Sequence, residues 1–113
     1  MKHVKAIVID HLNKTVTRET IRKLSDYYKF GRFGRFDMPM NADGTLMVVV
    51  DDEGFFKSGS LVTELGALMF PQGYAGNIII TGGIDEEGNT LSVPEWLSPA
   101  KVISEMKIIG SVR

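Results

Sequence analysis

The sequence predicts an α+β domain: a mainly antiparallel sheet of about five strands with three short helices. Three observations carry that expectation. Apolar, β-branched runs recur along the chain, bounded by turn residues such as Asn41-Ala42-Asp43-Gly44 and Asp51-Asp52-Glu53-Gly54. Three short stretches space their apolar residues as helices do. Strands outnumber the long crossovers that parallel pairing requires. A chain of 113 residues fits one domain, 1–113, and can bury a core without metal or disulfide support.

The elements follow in order. Lys5 to Asp10 reads as a strand, and His11-Leu12-Asn13-Lys14 as a turn. Thr15-Val16-Thr17 alternates and completes a hairpin. From Thr20 to Phe30 the apolar positions Ile21, Leu24, Tyr27 and Tyr28 predict a helix, with Thr17 or Thr20 as cap and Gly31 as stop. Phe36 to Met40 and Leu46 to Val50 predict a second hairpin, the latter strand apolar enough to be buried on both faces. Ser60 predicts a cap for a second helix, Leu61 to Met69, with Leu61, Leu65 and Leu68 on one face. Asn77 to Thr81 is a further core strand. Ser98-Pro99 predicts the start of a third helix, buried through Val102, Ile103, Met106 and Ile109 and ended by Gly110.

Composition narrows the function classes. The apolar fraction of 43% and charged fraction of 24% are those of an ordinary soluble globular protein. Cysteine is absent, which removes disulfides and thiolate zinc sites. Lys2-His3-Val4-Lys5 precedes an apolar run of only four, Ala6 to Ile9, too short for a signal peptide. No segment approaches the length of a membrane span. The expectation is a cytoplasmic protein without a membrane partner.

Net charge is −1, but unevenly spread. Residues 1–35 hold nine Lys and Arg against three acids, whereas residues 36–113 hold four against eleven. Arg18, Arg22, Arg32 and Arg35, four of the five arginines, fall within eighteen residues. The first third thus offers an anion-facing surface, or the two halves pair with each other in the fold.

Catalytic patterns are missing. Gly82-Gly83 lacks the lysine and threonine of a P-loop. No Gly-x-Ser-x-Gly occurs, and His3 and His11 stand at the two ends of a predicted strand as surface residues. Asp10, Asp51, Asp52 and Glu53 could gather at one sheet end and hold Mg²⁺, or simply punctuate turns. The expectation is a non-enzyme without metal or cofactor.

The repeat Gly31-Arg32-Phe33-Gly34-Arg35-Phe36 is the sharpest feature. Arginine offers a planar donor fork for phosphate, and phenylalanine a face for base stacking. In a flat strand Arg32 and Arg35 would point to opposite faces. The stretch is therefore expected to be partly irregular, with Phe36 entering a strand. The bland reading has the phenylalanines anchoring a loop over the core and the arginines pairing with acids. A second cluster, Gln72-Gly73-Tyr74-Ala75-Gly76-Asn77, supplies Tyr74 for stacking and Asn77 for reading a base edge, or else is a glycine-rich turn. The candidate ligand-binding set is Arg18, Arg22, Arg32, Phe33, Arg35, Tyr74 and Asn77. The acidic remainder of the chain disfavours a long nucleic acid and favours a small nucleotide. The surplus of apolar segments predicts a homo-oligomer.

The stretches Val4-Lys5-Ala6-Ile7-Val8-Ile9-Asp10, Val50-Asp51-Asp52-Glu53-Gly54, Gly76-Asn77-Ile78-Ile79-Ile80-Thr81-Gly82 and Asp85-Glu86-Glu87-Gly88 together resemble a family of small phage- and plasmid-borne domains of unknown function. Size and layout also resemble the phage anti-Thoeris and anti-CBASS proteins that sequester cyclic nucleotide immune signals. That resemblance implies a counter-defence sponge, an oligomer with pockets shared between protomers. The alternatives are a protein-binding inhibitor or accessory factor using the same basic-aromatic patch, and an enzyme built on Asp10 and Asp51-Asp52.

Overall fold

A computed structural model describes residues 3–113. Lys2, counted above in the basic first third, lies outside the described residues. The class is α+β, with two sheets and, among the described residues, two α-helices rather than three. Strand β1 (Val4–Asp10) and β2 (Thr15–Ile21) form the first hairpin, followed by α1 (Leu24–Gly31). Next come β3 (Phe36–Asp37), β4 (Leu46–Asp51), β5 (Leu61–Glu64), β6 (Gly73–Ala75) and β7 (Ile78–Gly82). Helix α2 (Pro99–Glu105) and β8 (Lys107–Ser111) end the chain. The larger sheet has the order β2-β1-β7-β4-β3, the smaller β6-β5-β8, and all neighbours are antiparallel.

The central strands are apolar on both faces because both faces are covered. One face of the larger sheet packs Ala6, Val8, Val49 and Ile79 against Tyr27 of α1 and against Phe33. The other packs Ile7, Ile9, Val48 and Ile80 against Leu65, Phe70, Tyr74, Leu97 and Val102. The smaller sheet and α2 therefore share a core with the larger sheet.

Three elements differ from the sequence expectation. Strand β2 continues to Ile21, fully buried and paired with Val4, so the helix starts later, at Leu24. Neither Thr17 nor Thr20 caps it. The N-cap is Lys23, and Asp26 inside the first turn completes a capping box, its carboxylate accepting from the N–H groups of Arg22 and Lys23 at 2.8 and 3.3 Å. The expected helix from Leu61 to Met69 is strand β5 and a 3-10 turn, Gly66–Leu68. There β-branched Val62 and Thr63 gain strand partners on both sides, and that pairing overrides the helical spacing of the leucines. Ser98 caps α2 as expected, accepting from the Lys101 N–H at 3.1 Å. The helix stops at Glu105, however, so its short face buries only Val102 fully. Ile103 stays exposed, and Ile109 belongs to β8.

The segment between α1 and β3 is irregular, as the period of three predicts, and Phe36 enters β3. Phe33 is buried against Tyr28 and Phe36, with ring centroids 6.5 and 5.8 Å away. Its ring lies over Gly31, where an added Cβ would sit 2.0 Å from the ring edge. Phe33→Ala is expected to cost about 3 kcal/mol, the scale of a buried ring removed. Gly31→Ala is expected to destabilise as well, because the ring must move. Urea unfolding measures both; a midpoint unchanged by Phe33→Ala would contradict the packing described.

Candidate functional site

The central strands β4 and β7 are buried on both faces, and Asp10 and Asp51 stand at the ends of β1 and β4. Ile9 and Val50 both register with Ile78. The ends of β1 and β4 thus meet the start of β7, which brings Asp10, Asp51 and Asn77 together. Helix α1 finishes over the same end. The loop from Asp52 to Ser60 closes the other side. Between them lies a cavity of about 440 Å³, lined by His11, Arg32, Lys57, Ser58, Ser60 and Asn77 among others.

Asn77 organises this end. Its Oδ1 accepts from the His11 N–H at 2.9 Å, and its Nδ2 donates to the Phe30 carbonyl at 3.2 Å. The side chain is almost wholly buried. Both ends of the amide are engaged, so Asn77 is a clamp rather than the base reader expected from sequence.

Two cations line the cavity, each backed by one carboxylate. Arg32 Nη2 meets Asp10 Oδ2 at 3.4 Å, and Lys57 Nζ pairs with Asp51 Oδ2. The cations keep 45% and 48% of their side chains exposed, against 13% and 7% for the carboxylates. Asp51 lines the cavity beside Lys57, while Asp10 lies with Arg32 on a neighbouring groove. Arg32 also holds a left-handed backbone, φ 57°, at the end of α1. Glycine is the usual residue there, and a side chain costs roughly 1 kcal/mol.

Asp10 also accepts from the Leu12 and Asn13 N–H groups at 3.0 and 3.2 Å. Burial pushes its carboxyl up, but the Asn13 N–H, Arg32 and Asn77 outweigh burial and hold it below its usual 3.8. His11 is half-buried, with Nε2 and Thr63 Oγ1 2.8 Å apart. Burial pushes its pKa below 6.5, against the pull of Asp10. The ring is accordingly neutral at pH 7. No set of three or more His, Asp or Glu side chains suited to a metal ion occurs among the described residues; Asp10 and Asp51 each hold a cation of the chain itself.

The sequence-derived set is divided by the fold. Arg32 and Asn77 are in the site. Arg35 is beside it, 3.7 Å from Asp52 and largely exposed. Arg18 lies on edge strand β2 and reaches the Leu97 carbonyl at 3.4 Å. Arg22 follows Ile21, which pairs with Val4 at the opposite end of the sheet. For Phe33 and Tyr74 the sequence left base stacking and core packing open, and the fold has both rings in the core. Each ring is buried, Phe33 in the aromatic cluster and Tyr74 edge-on to Phe70 with centroids 6.1 Å apart. His11, Lys57, Ser58 and Ser60 are the residues that sequence reasoning missed. One signal was available: Lys57 is the sole basic residue between 36 and 100.

No family model matches the chain, and neither a curated protein nor a solved structure matches it. Among the described residues no helix is long and apolar enough to cross a membrane.

Two outcomes follow from this geometry. Arg32→Gly relieves the left-handed backbone and gives up only a half-exposed ion pair, which contributes little. It is expected to raise stability by up to about 1 kcal/mol in urea unfolding; a loss of that size would mean the Asp10 pair is structural. His11 and Asp10 both have folded pKa values below their unfolded ones. The unfolded chain therefore binds more protons as pH falls, and stability is lost first below 6.5 and again below 3.8. Melting temperature against pH should fall in two phases, and His11→Gln should remove the first. An unchanged profile in that variant would reject the assignment to His11.

Proposed function

We propose that this chain is a non-catalytic binding domain whose cavity at the sheet end takes a small phosphate-bearing nucleotide. One observation carries the reading. Arg32 and Lys57 both line one cavity, each with about half of its side chain exposed and each ion-paired with a mostly covered carboxylate. Charge-assisted hydrogen bonds from such groups suit phosphate oxygens. The volume of about 440 Å³ is that of a small-ligand pocket. The hydroxyls of Ser58 and Ser60 and the neutral His11 ring add polar contacts suited to sugar or base. Among the described residues the His11 ring is engaged by the fully buried Thr63 hydroxyl and not by Ser58 or Ser60 of the cavity, which favours sequestration over turnover. Its biological form is a phage counter-defence sponge for a cyclic nucleotide signal, acting in the host cytoplasm.

Calorimetry with cyclic mono- and dinucleotides tests it. Arg32→Ala and Lys57→Ala are each expected to weaken binding about tenfold, or 1.4 kcal/mol. Arg18→Ala and Arg22→Ala should leave affinity unchanged. Intact nucleotide should be recovered after heat denaturation of the complex. Binding that ignores both Arg32→Ala and Lys57→Ala would remove this cavity as the site, and recovery of a hydrolysed product would replace sequestration by catalysis.

A second reading, a protein-binding inhibitor or accessory factor, is favoured by the turn preceding Lys57. Phe55 and Phe56 there are 55% and 86% exposed, and aromatic rings beside a cation are typical interface anchors. Phe56→Ala separates the readings: it should abolish partner binding and leave nucleotide affinity intact.

A further inference from the structure

A second cavity, of about 370 Å³, opens beside β3, the end of β4 and β6. No lysine or arginine lines it, whereas Asp37, Asp51 and Asp52 do. Two of these carboxylates are paired with cations that stand outside the lining, Asp51 with Lys57 and Asp52 with Arg35. Asp37 differs. It accepts from the Met38 N–H at 2.9 Å, and among the described residues no cation pairs with it. The cavity thus carries one negative charge that the chain itself does not neutralise.

The strand register explains where that charge stands. Asp37 is opposite Val50, and directly paired residues share a face of the sheet. Val50 belongs to the core that holds Tyr74, so Asp37 is on the Tyr74 side. Tyr74 is only 4% exposed, and its ring packs against Phe70. A phenol so deeply buried usually finds a hydrogen-bond partner. Among the described residues the Tyr74 hydroxyl has none. It is not sealed either: the enclosed, unpartnered side-chain polar atom is the Tyr27 hydroxyl. Tyr74 lines this cavity, so its hydroxyl opens there. Burial and the charge of Asp37 both raise its pKa, which keeps the phenol neutral. An unpaired carboxylate and an unpartnered phenol therefore meet one space, with the half-exposed Phe55 ring at its wall.

We propose that this cavity binds a guanidinium group, with Asp37 as counter-ion, the Tyr74 hydroxyl as second acceptor and Phe55 as a face for stacking. A guanidinium is a planar fork of donors, able to serve two acceptors at once, and it stacks on aromatic rings. An ammonium is a point charge and makes no use of a ring plane. One unneutralised carboxylate suits a monocation rather than a polyamine. A metal ion would need further carboxylates, and Asp51 and Asp52 are occupied by the chain's own cations. Neither Arg32 nor Lys57 lines this cavity, so the site stands apart from the nucleotide reading.

An NMR titration of the whole chain with Nα-acetylarginine amide tests it, beside the citrulline counterpart, which has nearly the same shape and no charge. The arginine probe should shift the amide signals of Asp37, Met38 and Tyr74 saturably, and the citrulline probe should not. Asp37→Asn should raise the Kd of the arginine probe about tenfold. Tyr74→Phe should raise it about threefold and leave the urea midpoint unchanged, because the hydroxyl it removes has no partner in the chain. A blocked peptide with a central arginine distinguishes the two sources of the group. Tighter binding than the amide assigns the site to an arginine of a partner protein, and equal binding to a free guanidino compound; both support the chemistry. Absence of saturable shifts with the arginine probe overturns the proposal, and so does equal binding of the citrulline probe. An affinity indifferent to Asp37→Asn rejects the counter-ion, and a Tyr74→Phe variant that loses stability but not affinity returns the hydroxyl to a packing role.

Discussion

The candidate site depends on one buried amide. Asn77 opens β7, accepts from the backbone of His11 and donates to the backbone of Phe30. It thereby ties a core strand, the turn after β1 and the last turn of α1. Apolar packing brings these elements together but does not orient them, because burial is non-directional. The amide supplies direction. It offers a donor and an acceptor at fixed geometry; a carboxylate lacks the donor, and an aliphatic side chain lacks both. Leaving either backbone partner unmet would cost about 1 to 3 kcal/mol. Arg32 is two residues beyond Phe30 and Asp10 one before His11, so their meeting rests on this clamp.

The second constraint is the sandwiching of the larger sheet. With α1 on one face and the smaller sheet on the other, Asp10 and Asp51 can leave the core only at strand ends. They remain mostly covered there, and a covered carboxylate requires a partner. Arg32 and Lys57 provide it. Half-exposed pairs of this kind add little stability. Their consequence is one of exposure: the carboxylates are mostly covered, and the cations keep about half of their side chains open. The uneven charge of the sequence is met across the two parts by Arg35 with Asp52, whereas Arg32 with Asp10 pairs within the first third.

The parts of the fold legible in the sequence are those fixed by local pattern. The two-sided strands β1, β4 and β7 and the turns between them follow from apolar runs and Asp, Asn and Gly clusters. Strands β5 and β6 do not, because β5 is a strand through pairing with β6 on one side and on the other with β8, more than forty residues away in the chain. Leu61, Leu65 and Leu68 have helical spacing all the same, and that two-sided pairing overrules it. In the site, Arg32 was legible from the repeat, whereas Lys57 showed only as an isolated cation in an acidic stretch. Its importance comes from the acid it meets and not from any motif around it. Phe33 was misplaced for a local reason: the left-handed turn at Arg32 reverses the chain and folds the ring back over Gly31.

That reversal explains why Gly-Arg-Phe occurs twice. In the first copy Gly31 makes room for the Phe33 ring, Arg32 turns the chain, and Phe33 is buried. In the second, Gly34 lies at the bend, Arg35 stands outside, and Phe36 enters β3. The two phenylalanines meet with centroids 5.8 Å apart, and both reach Tyr28. Aromatic packing therefore fixes the distance between the copies. The Arg35 carbonyl accepts from the Asp52 N–H at 3.1 Å, which ties the second copy to the end of β4. With the rings held inside, Arg32 falls to Asp10 and Arg35 to Asp52, both at the same end of the sheet. The repeat is thus a device in which phenylalanine burial sets where two guanidinium groups emerge. The bland reading of the rings and a binding role for Arg32 are parts of one arrangement.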